Sequence, residues 1–394
     1  MNRPVAPATD PETVTVNLLW CRPGQVGGSE EYLVRQLLGL HGVAPHIDVT
    51  VVAPPGFAAA HDDLASRMTI RTGPGVPGGR PGRVAAEATW LARATRASAL
   101  VHHGGGTVPA VPRRRSARRA PIVLTVHDLQ YLEFPEFFST TRRRYLAGRM
   151  PRSVRRADIV TVPSVFVRST VIDHLGVEPG RVMVVPHGVP APPTDPESDP
   201  NGNAVAVRTR YGLGGRPFVV FPAITHPHKG HDFLLRVLAG PWRADDVQLV
   251  LLGGAGRADA DVTAAIIDQG LADRVVRPGR VPAADRDALI AAAEALVFPS
   301  EYEGFGAPVV EAMVLGTPVI CSDQAAVPEV AGDAGLVLPL DVDAWARALD
   351  RVRADRAAFA ERGRNRASHF TLEVSGRALA AAYRRAVAAA GSSS

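Results

Sequence analysis

The chain has 394 residues, of which 46% are hydrophobic, 21% charged and 6% aromatic, and its formal net charge is +5. That is the make-up of a globular, soluble protein with length for two or three domains, and no apolar run nears the ~18 residues that span a bilayer. Two cysteines in different halves, Cys21 and Cys321, exclude a disulfide framework and a cysteine-based zinc site, and both are expected as buried thiols.

Taken in chain order, Met1–Thr13 is polar with three prolines. It has no apolar leader core, so a cytoplasmic protein with a frayed start is expected. Apolar runs then alternate with helical patterns. Strands are predicted at Val14–Trp20, Ile47–Val52, Leu100–His102, Ile122–His127, Ile159–Val162 and Val182–Pro186. The helices between them are Glu30–Leu40, Arg83–Ala97, Thr140–Arg156 and Val165–Leu175. The prolines at 186, 190, 192, 193, 196 and 200 read as a linker or exposed loop. Beyond them, strands are predicted at Phe218–Phe221, Val247–Leu252, Val275–Arg277, Ala295–Phe298, Val319–Cys321 and Leu336–Leu338, with helices near 231–239, 259–269, 283–292 and 307–315. The tail from about Asp341 to Ala390 is Ala/Arg-rich and helical. The expected fold class is α/β: two doubly wound, Rossmann-like parallel-sheet domains facing a cleft at their strand C-termini.

The charge is uneven. Residues 1–190 hold 23 basic and 14 acidic side chains, and the remainder holds 21 and 25. Arg113, Arg114, Arg115, Arg118 and Arg119 form one cluster, and Arg142, Arg143, Arg144, Arg149, Arg152, Arg155 and Arg156 crowd a predicted helix. These are either a solvated face or a surface for an anionic membrane or acidic acceptor. With few aromatics and no recognition motif, nucleic acid is not expected as a partner.

The chemistry concentrates in the second half. Glu303 and Glu311 stand on a block, Glu303-Gly304-Phe305-Gly306-Ala307-Pro308-Val309-Val310-Glu311, that joins a buried strand to a helix. Gly304 and Gly306 let the backbone approach a ligand, and a helix start offers N–H groups to an anion. Carboxylates accept hydrogen bonds from hydroxyls. Hydroxyls flanking a phosphate fit this layout, which points to a nucleotide-sugar. Of the 44 Lys and Arg residues, 43 are Arg. The one lysine, Lys229, follows a strand and precedes a helix, and it is read as a compact phosphate-binding charge. His226, His228 and His231 surround it without carboxylate company, so no metal site is expected there.

Other loops are less specific. Gly24-Gln25-Val26-Gly27-Gly28-Ser29 opens a helix, either as an ordinary tight turn or as a loop closing on a ligand. Gly253-Gly254-Ala255-Gly256-Arg257 is another glycine loop at a strand end, with Arg257 facing either a diphosphate or solvent. His127, at the end of a parallel strand, is either a hydrogen-bonded loop histidine or a contact near a sugar. His102 and His103, before Gly104-Gly105-Gly106, read as a strand end or an acceptor-side loop.

Nearly the whole chain resembles the retaining GT-B glycosyltransferases of family 4. The carriers are Gly27-Gly28-Ser29, Val126-His127-Asp128, Ala157–Ser164, Pro186-His187-Gly188-Val189, Pro227-His228-Lys229 and the Glu303–Glu311 block. His127-Asp128-Leu129 with Phe134-Pro135-Glu136 is similar to mannosyltransferases of polysaccharide assembly. The resemblance implies catalytic roles for Lys229, Glu303 and His127. Lys229 neutralises a diphosphate, Glu303 binds hydroxyls of the transferred sugar and Glu311 binds the ribose diol. Gly304, Phe305, Gly306 and Ala307 hold phosphate and sugar through their backbone, and Gly27 and Gly28 admit the sugar. Gly254, Arg257 and Val281 join the donor contacts. Many members carry Arg where this chain has Ala223, which leaves open how the leaving group is stabilised. Residues 1–190 are then the acceptor side and 191–371 the nucleotide-sugar side, with a helix and tail over 372–394 that crosses back. No cofactor or metal is implied. The expected partners are a nucleotide-sugar donor, a glycan or lipid-linked acceptor, and an anionic membrane met peripherally through the Arg clusters. A nucleotide-sugar epimerase and a non-catalytic sugar-nucleotide-binding protein are the rival readings.

Overall fold

The computed structural model describes residues 9–23, 27–75, 79–109, 119–191 and 200–392. Arg113, Arg114, Arg115 and Arg118 of the first cluster, Gly24–Val26 of the first glycine loop and Pro192, Pro193 and Pro196 of the proline-rich stretch lie outside the described residues.

Two compact units form: Met1–Gly188 with Thr371–Ser394, and Val189–Phe370. Each is built on one parallel sheet with helices. The first sheet has seven strands: β1 (Thr13–Asn17), β2 (Asp48–Ala53), β3 (Thr69–Thr72), β4 (Leu100–His103), β5 (Ile122–Thr125), β6 (Ile159–Val162) and β7 (Val182–Val184). Their order is β3-β2-β1-β4-β5-β6-β7. The second has six: β8 (Phe218–Pro222), β9 (Gln248–Leu252), β10 (Val275–Gly279), β11 (Ala295–Phe298), β12 (Val319–Ser322) and β13 (Leu336–Leu338), in the order β10-β9-β8-β11-β12-β13. Continuous apolar runs such as Phe218-Val219-Val220-Phe221 make these strands, because both faces of a parallel sheet are covered. All four residues of that run are fully buried.

In both sheets the strand order reverses beside the first strand, at β1/β4 and at β8/β11. Such a reversal opens a crevice outside the carboxyl ends of the two strands, where doubly wound folds take their ligands.

The tail does more than cross back. The helix Leu372–Ser392 is part of the first unit's core, where Leu379, Ala382 and Tyr383 are fully buried with Val16 and Leu33. It lies so close to the helix Gly28–Val43 that a methyl group on Gly39 would collide with the backbone of Leu372, and one on Gly376 with the backbone of Gly39. Only glycine permits that approach. The tail is also broken. Val342–Trp345, Ala348–Ala354 and Arg356–Ala367 are separate helices of the second unit.

Besides short helices such as Phe57–Ala60 and Val327–Ala331, a strand and a longer helix depart from the sequence expectation. β3 is a largely exposed edge strand, Thr69-Ile70-Arg71-Thr72, without an apolar run to signal it. The helix Pro200–Arg210 begins on the last proline of the stretch read as linker. Proline suits a first helical turn, where its missing N–H has no partner to lose.

Candidate functional site

In the second unit, the reversal sets the loop after β8 beside the loop after β11. The first passes through a single 3-10 turn, Pro227–Lys229, and leaves it at Gly230 with φ +74°. A Cβ at Gly230 would stand 2.5 Å from the Pro299 carbonyl oxygen, so the two loops touch backbone to backbone. The Glu301 N–H donates to the His228 carbonyl at 2.8 Å and fixes their register. The outcome is a direct ion pair: Lys229 Nζ lies 2.6 Å from Glu303 Oε1, with 20% and 14% of the two side chains exposed. Little water screens such a charge-assisted bond.

The chain then turns at Gly306, whose φ of +94° favours glycine, and enters the helix Ala307–Val314 with Pro308 in its first turn. Val309, Val310 and Met313 face the core, and Glu311 is half-buried on the same helix. Phe305 is buried, its ring edge-on to Phe370 with centroids 5.4 Å apart. Glu303 and Glu311 thus stand before and within one helix, whose Pro308 has no N–H and whose Val309 N–H donates to the Gly306 carbonyl at 3.0 Å.

The loop after β9 abuts the loop carrying Lys229. A Cβ on Gly253 would strike the Ala223 carbonyl, and one on Gly254 would lie 3.2 Å from Arg280 Nε. The Arg257 N–H points to His226 Nδ1 at 3.5 Å, while its side chain is exposed. Val281 follows β10 and is half-buried against the core. The structure therefore pairs Lys229 with Glu303 directly and joins Gly254 and Arg257 to that loop through backbone. Val281 lies farther along, after the next strand.

The three histidines around Lys229 are neutral at pH 7. Burial first, then the Lys229 charge, pushes His228 down to about 3 and His231 to about 4, and lowers His226 by the same causes. Among the described residues no group of three or more His, Cys, Asp or Glu is placed to hold a metal ion.

In the first unit, the crevice between β1 and β4 has a different chemistry. Gly27 and Gly28 stand at the start of the helix Gly28–Val43, and a methyl group on either would meet nothing within 4 Å. The fold itself does not demand glycine there. His127 follows β5, and its Nε2–H donates to the Gly104 carbonyl at 2.8 Å. The neutral ring then keeps Nδ1 as an acceptor. Trp20 and Tyr32 meet the His127 ring edge-on at 5.7 and 5.6 Å. Burial lowers its pKa, so it stays uncharged.

His102 and His103 are not loop residues. Both are buried in β4. His102 is bridged between the Tyr383 hydroxyl, 2.9 Å from Nδ1, and the Thr125 hydroxyl, 2.7 Å from Nε2. Burial holds both histidines down to about 3. Sequence reasoning also gave no role to His187, which stacks on Tyr32 with centroids 4.2 Å apart, while Tyr32 donates to the Val185 carbonyl at 2.5 Å. The motif Pro186-His187-Gly188-Val189 was the available signal. Cys21 and Cys321 are free and buried, and burial pushes the Cys321 thiol up to about 12.

Both halves of the chain match known families. Residues 26–191 match glycosyltransferase family 4 and residues 216–355 match glycosyl transferases group 1. The chain is 32% identical over 263 residues to O-antigen chain mannosyltransferase B of Escherichia coli, covering 64% of this chain and 67% of that protein. It is 30% identical over 255 residues to a GDP-mannose-dependent alpha-(1-6)-phosphatidylinositol monomannoside mannosyltransferase of Mycolicibacterium smegmatis, 62% of this chain and 63% of that protein. It is 31% identical over 217 residues to the MMP alpha-(1->4)-mannosyltransferase of Mycolicibacterium hassiacum, 54% of this chain and 49% of that one. These matches span about half to two thirds of the relatives' own lengths. Among solved structures, Anabaena Alr3699/HepE in complex with UDP and glucose superposes with a TM-score of 0.70 at 20% identity, covering 94% of this chain and 98% of that one. The lipopolysaccharide glycosyltransferase WaaG does so at 0.67 and 18%, covering 93% and 98%. At such identities the likeness is one of fold, and the fold is the doubly wound pair that the strand orders describe. With one family matched on each sheet and a relative matched over two thirds of its length, the chain belongs to the family 4 glycosyltransferases, and its architecture is GT-B.

Proposed function

We propose that this glycosyltransferase moves a hexose, mannose in preference, from a nucleotide-diphosphate sugar to a hydroxyl of a glycan, lipid-linked or small-molecule acceptor, with retention of configuration. The observation that carries the reading is the Lys229–Glu303 pair at the β8/β11 reversal, 2.6 Å apart and mostly shielded from water. A cation and a carboxylate side by side suit a ligand that changes from anionic diphosphate to neutral polyol within a few bonds. The mannosyltransferase relatives named above support the sugar, and the nucleotide named in the HepE complex supports the donor class.

In this reading Lys229 and the start of the helix Ala307–Val314 stabilise the diphosphate as it leaves with the bonding electron pair. Glu303 accepts from hydroxyls of the transferred sugar and Glu311 from the ribose diol. Neutral His127 and the open space at Gly27 and Gly28 serve the sugar side. The acceptor oxygen bonds the anomeric carbon on the face the phosphate leaves, and its proton passes to a phosphate oxygen. No metal or cofactor takes part. No second carboxylate need flank the anomeric carbon, unlike a glycosidase pair.

We also propose an acceptor that is anionic or membrane-linked, reached from the cytoplasmic face through peripheral contact. Arg142, Arg143 and Arg144 are all exposed on the helix Thr140–Arg156, with Arg142 over the Phe138 ring. No helix of the described residues is long and apolar enough to cross a membrane. The deciding experiment offers GDP-mannose and UDP-glucose with candidate acceptors and reads the anomeric configuration of the product by NMR. A retained mannoside supports the reading. An inverted product overturns the stereochemistry. An isomerised donor without acceptor makes the protein an epimerase.

A further inference from the structure

We propose that Thr225 is a positioning residue whose side chain ties the loop of Arg257 to the loop of Lys229, so that both cations meet one diphosphate. The inference rests on the donor reading above and adds a second cation and the device that places it. Thr225 follows β8 and is 4% exposed. Its N–H donates to the Gly254 carbonyl at 3.3 Å, and its carbonyl accepts from the Ala258 N–H at 2.9 Å. Its hydroxyl accepts from the Gly256 N–H at 2.6 Å and donates to Asp259 Oδ1 at 2.9 Å. Every polar group of this buried residue is therefore used on the 254–259 segment.

The tie is fixed at both ends. Asp259 also takes Arg277, at 2.5 Å, and it opens the helix Asp259–Asp268, where a carboxylate is favoured. A Cβ on Gly256 would collide with the Thr225 carbonyl and lie 2.9 Å from His226 Nδ1, so glycine alone allows this approach. Arg257 comes next in the chain. Its N–H points to the His226 ring, while the Lys229 N–H donates to the His226 carbonyl at 3.0 Å. One residue thus touches the backbones of both cations. The His226 and His228 rings stack at 5.9 Å, and after burial both are held neutral by the charges of Lys229 and Arg257. The loops of Lys229 and Arg257 thus meet at His226, and a ligand with two phosphoryl groups has one for each cation.

The hydroxyl is the part that matters. Valine has nearly the shape of threonine but leaves the Gly256 N–H and the Asp259 carboxylate without their buried partner. Titration calorimetry of the full chain with GDP, UDP, GMP and UMP reads the result. Thr225→Val and Arg257→Ala should each weaken diphosphate binding ~10-fold. Monophosphate affinity should hold, and Thr225→Ser should restore the wild-type value. In the double variant the two losses should not add, because the first has already displaced the second's side chain. If Thr225→Val fails to fold, Asp259→Ala breaks the same tie from its other end and enters the same cycle. Additive losses, or equal losses for mono- and diphosphates, overturn the inference while leaving the donor reading intact. Wild-type affinity in Lys229→Ala, or no binding of either diphosphate, overturns the donor reading and this inference with it.

Discussion

The two sheets share a reversal of strand order beside their first strand, yet the loops at the two reversals have opposite electrostatics. In the first unit the crevice is lined by neutral histidines and aromatic rings: His127 against Trp20 and Tyr32, and Tyr32 against His187. In the second it holds charge, with Lys229 on Glu303 and the Arg257 loop alongside. Uncharged donors and acceptors suit hydroxyls, whereas a diphosphate needs cations that water does not screen. One backbone topology thus supplies two chemistries, and the difference lies mostly in the loops, with Tyr32 of the helix Gly28–Val43 beside them.

The largest test of that contrast is Lys229→Ala. Loss of the only lysine should lower turnover ~10²–10³-fold, the scale of one lost oxyanion donor, with the fold retained but the melt lowered because Glu303 loses its partner. The matching change in the first unit, His127→Ala, should cost less, because no formal charge is removed. Equal losses would erase the proposed division of labour.

Next come the two glutamates. Glu311→Gln should weaken bare nucleoside diphosphate and sugar donor alike. Glu303→Gln should mainly impair the sugar donor. Each effect is about 1–3 kcal/mol, that of a buried polar group left unpaired. Calorimetry with both ligands decides, and identical profiles would merge the roles. On the same scale, Tyr383→Phe should destabilise the first unit without touching donor affinity, because it strips His102 of its Nδ1 partner. A urea melt followed in parallel with nucleotide binding separates the two units' responses.

Acid should weaken both units. The folded-state values of His102 and His103 lie near 3, below the ordinary 6.5. Between those limits the unfolded chain binds protons that the native one refuses, so stability falls as pH drops from 6.5. The slope is at most about 1.4 kcal/mol per pH unit for each such histidine. His61 runs the other way. Its hydrogen bond to Glu30 raises its value, giving stability below pH 6.5 that is lost as pH rises through the folded value. Urea midpoints at pH 7, 6 and 5 should fall in that order. The smallest effect is expected from Arg142, Arg143 and Arg144 changed together to Ser. Sedimentation with anionic vesicles should drop at low salt, and the difference should vanish as the Debye length shortens toward ~8 Å, with donor binding constant.

What the sequence made legible follows the range of the signal. The helices Thr140–Arg156 and Val165–Leu175 were readable to the residue, because Ser139 and Ser164 cap them locally by accepting from the Arg142 and Val167 N–H groups. Lys229 and Glu303 could be singled out by residue type and loop context, although they meet across 74 positions. His102 could not. The strand end was readable, but the histidine's partners are Thr125 and Tyr383, the latter 281 positions away, and no local pattern shows them. Thr225 was silent for the same reason, since its worth lies in hydrogen bonds to a different loop. The helix behind Pro200 was hidden by its own first residue, and β3 by its polarity.

The contact between Gly39 and Gly376 also sets an order of events during synthesis. The ribosome makes the first unit's strands early but delivers the helix that covers Tyr32, Leu33 and Leu37 only after the whole second unit. The second unit is continuous in sequence, from 189 to 370, so it has all its parts before the first one does. Domains usually fold in the order in which they emerge. Here the early half must hold an apolar helix face open while the later half completes itself, and the arrival of the helix Leu372–Ser392 decides when the older domain closes. A chain cut before Thr371 would keep the proposed donor-binding unit whole and leave the unit begun first unfinished.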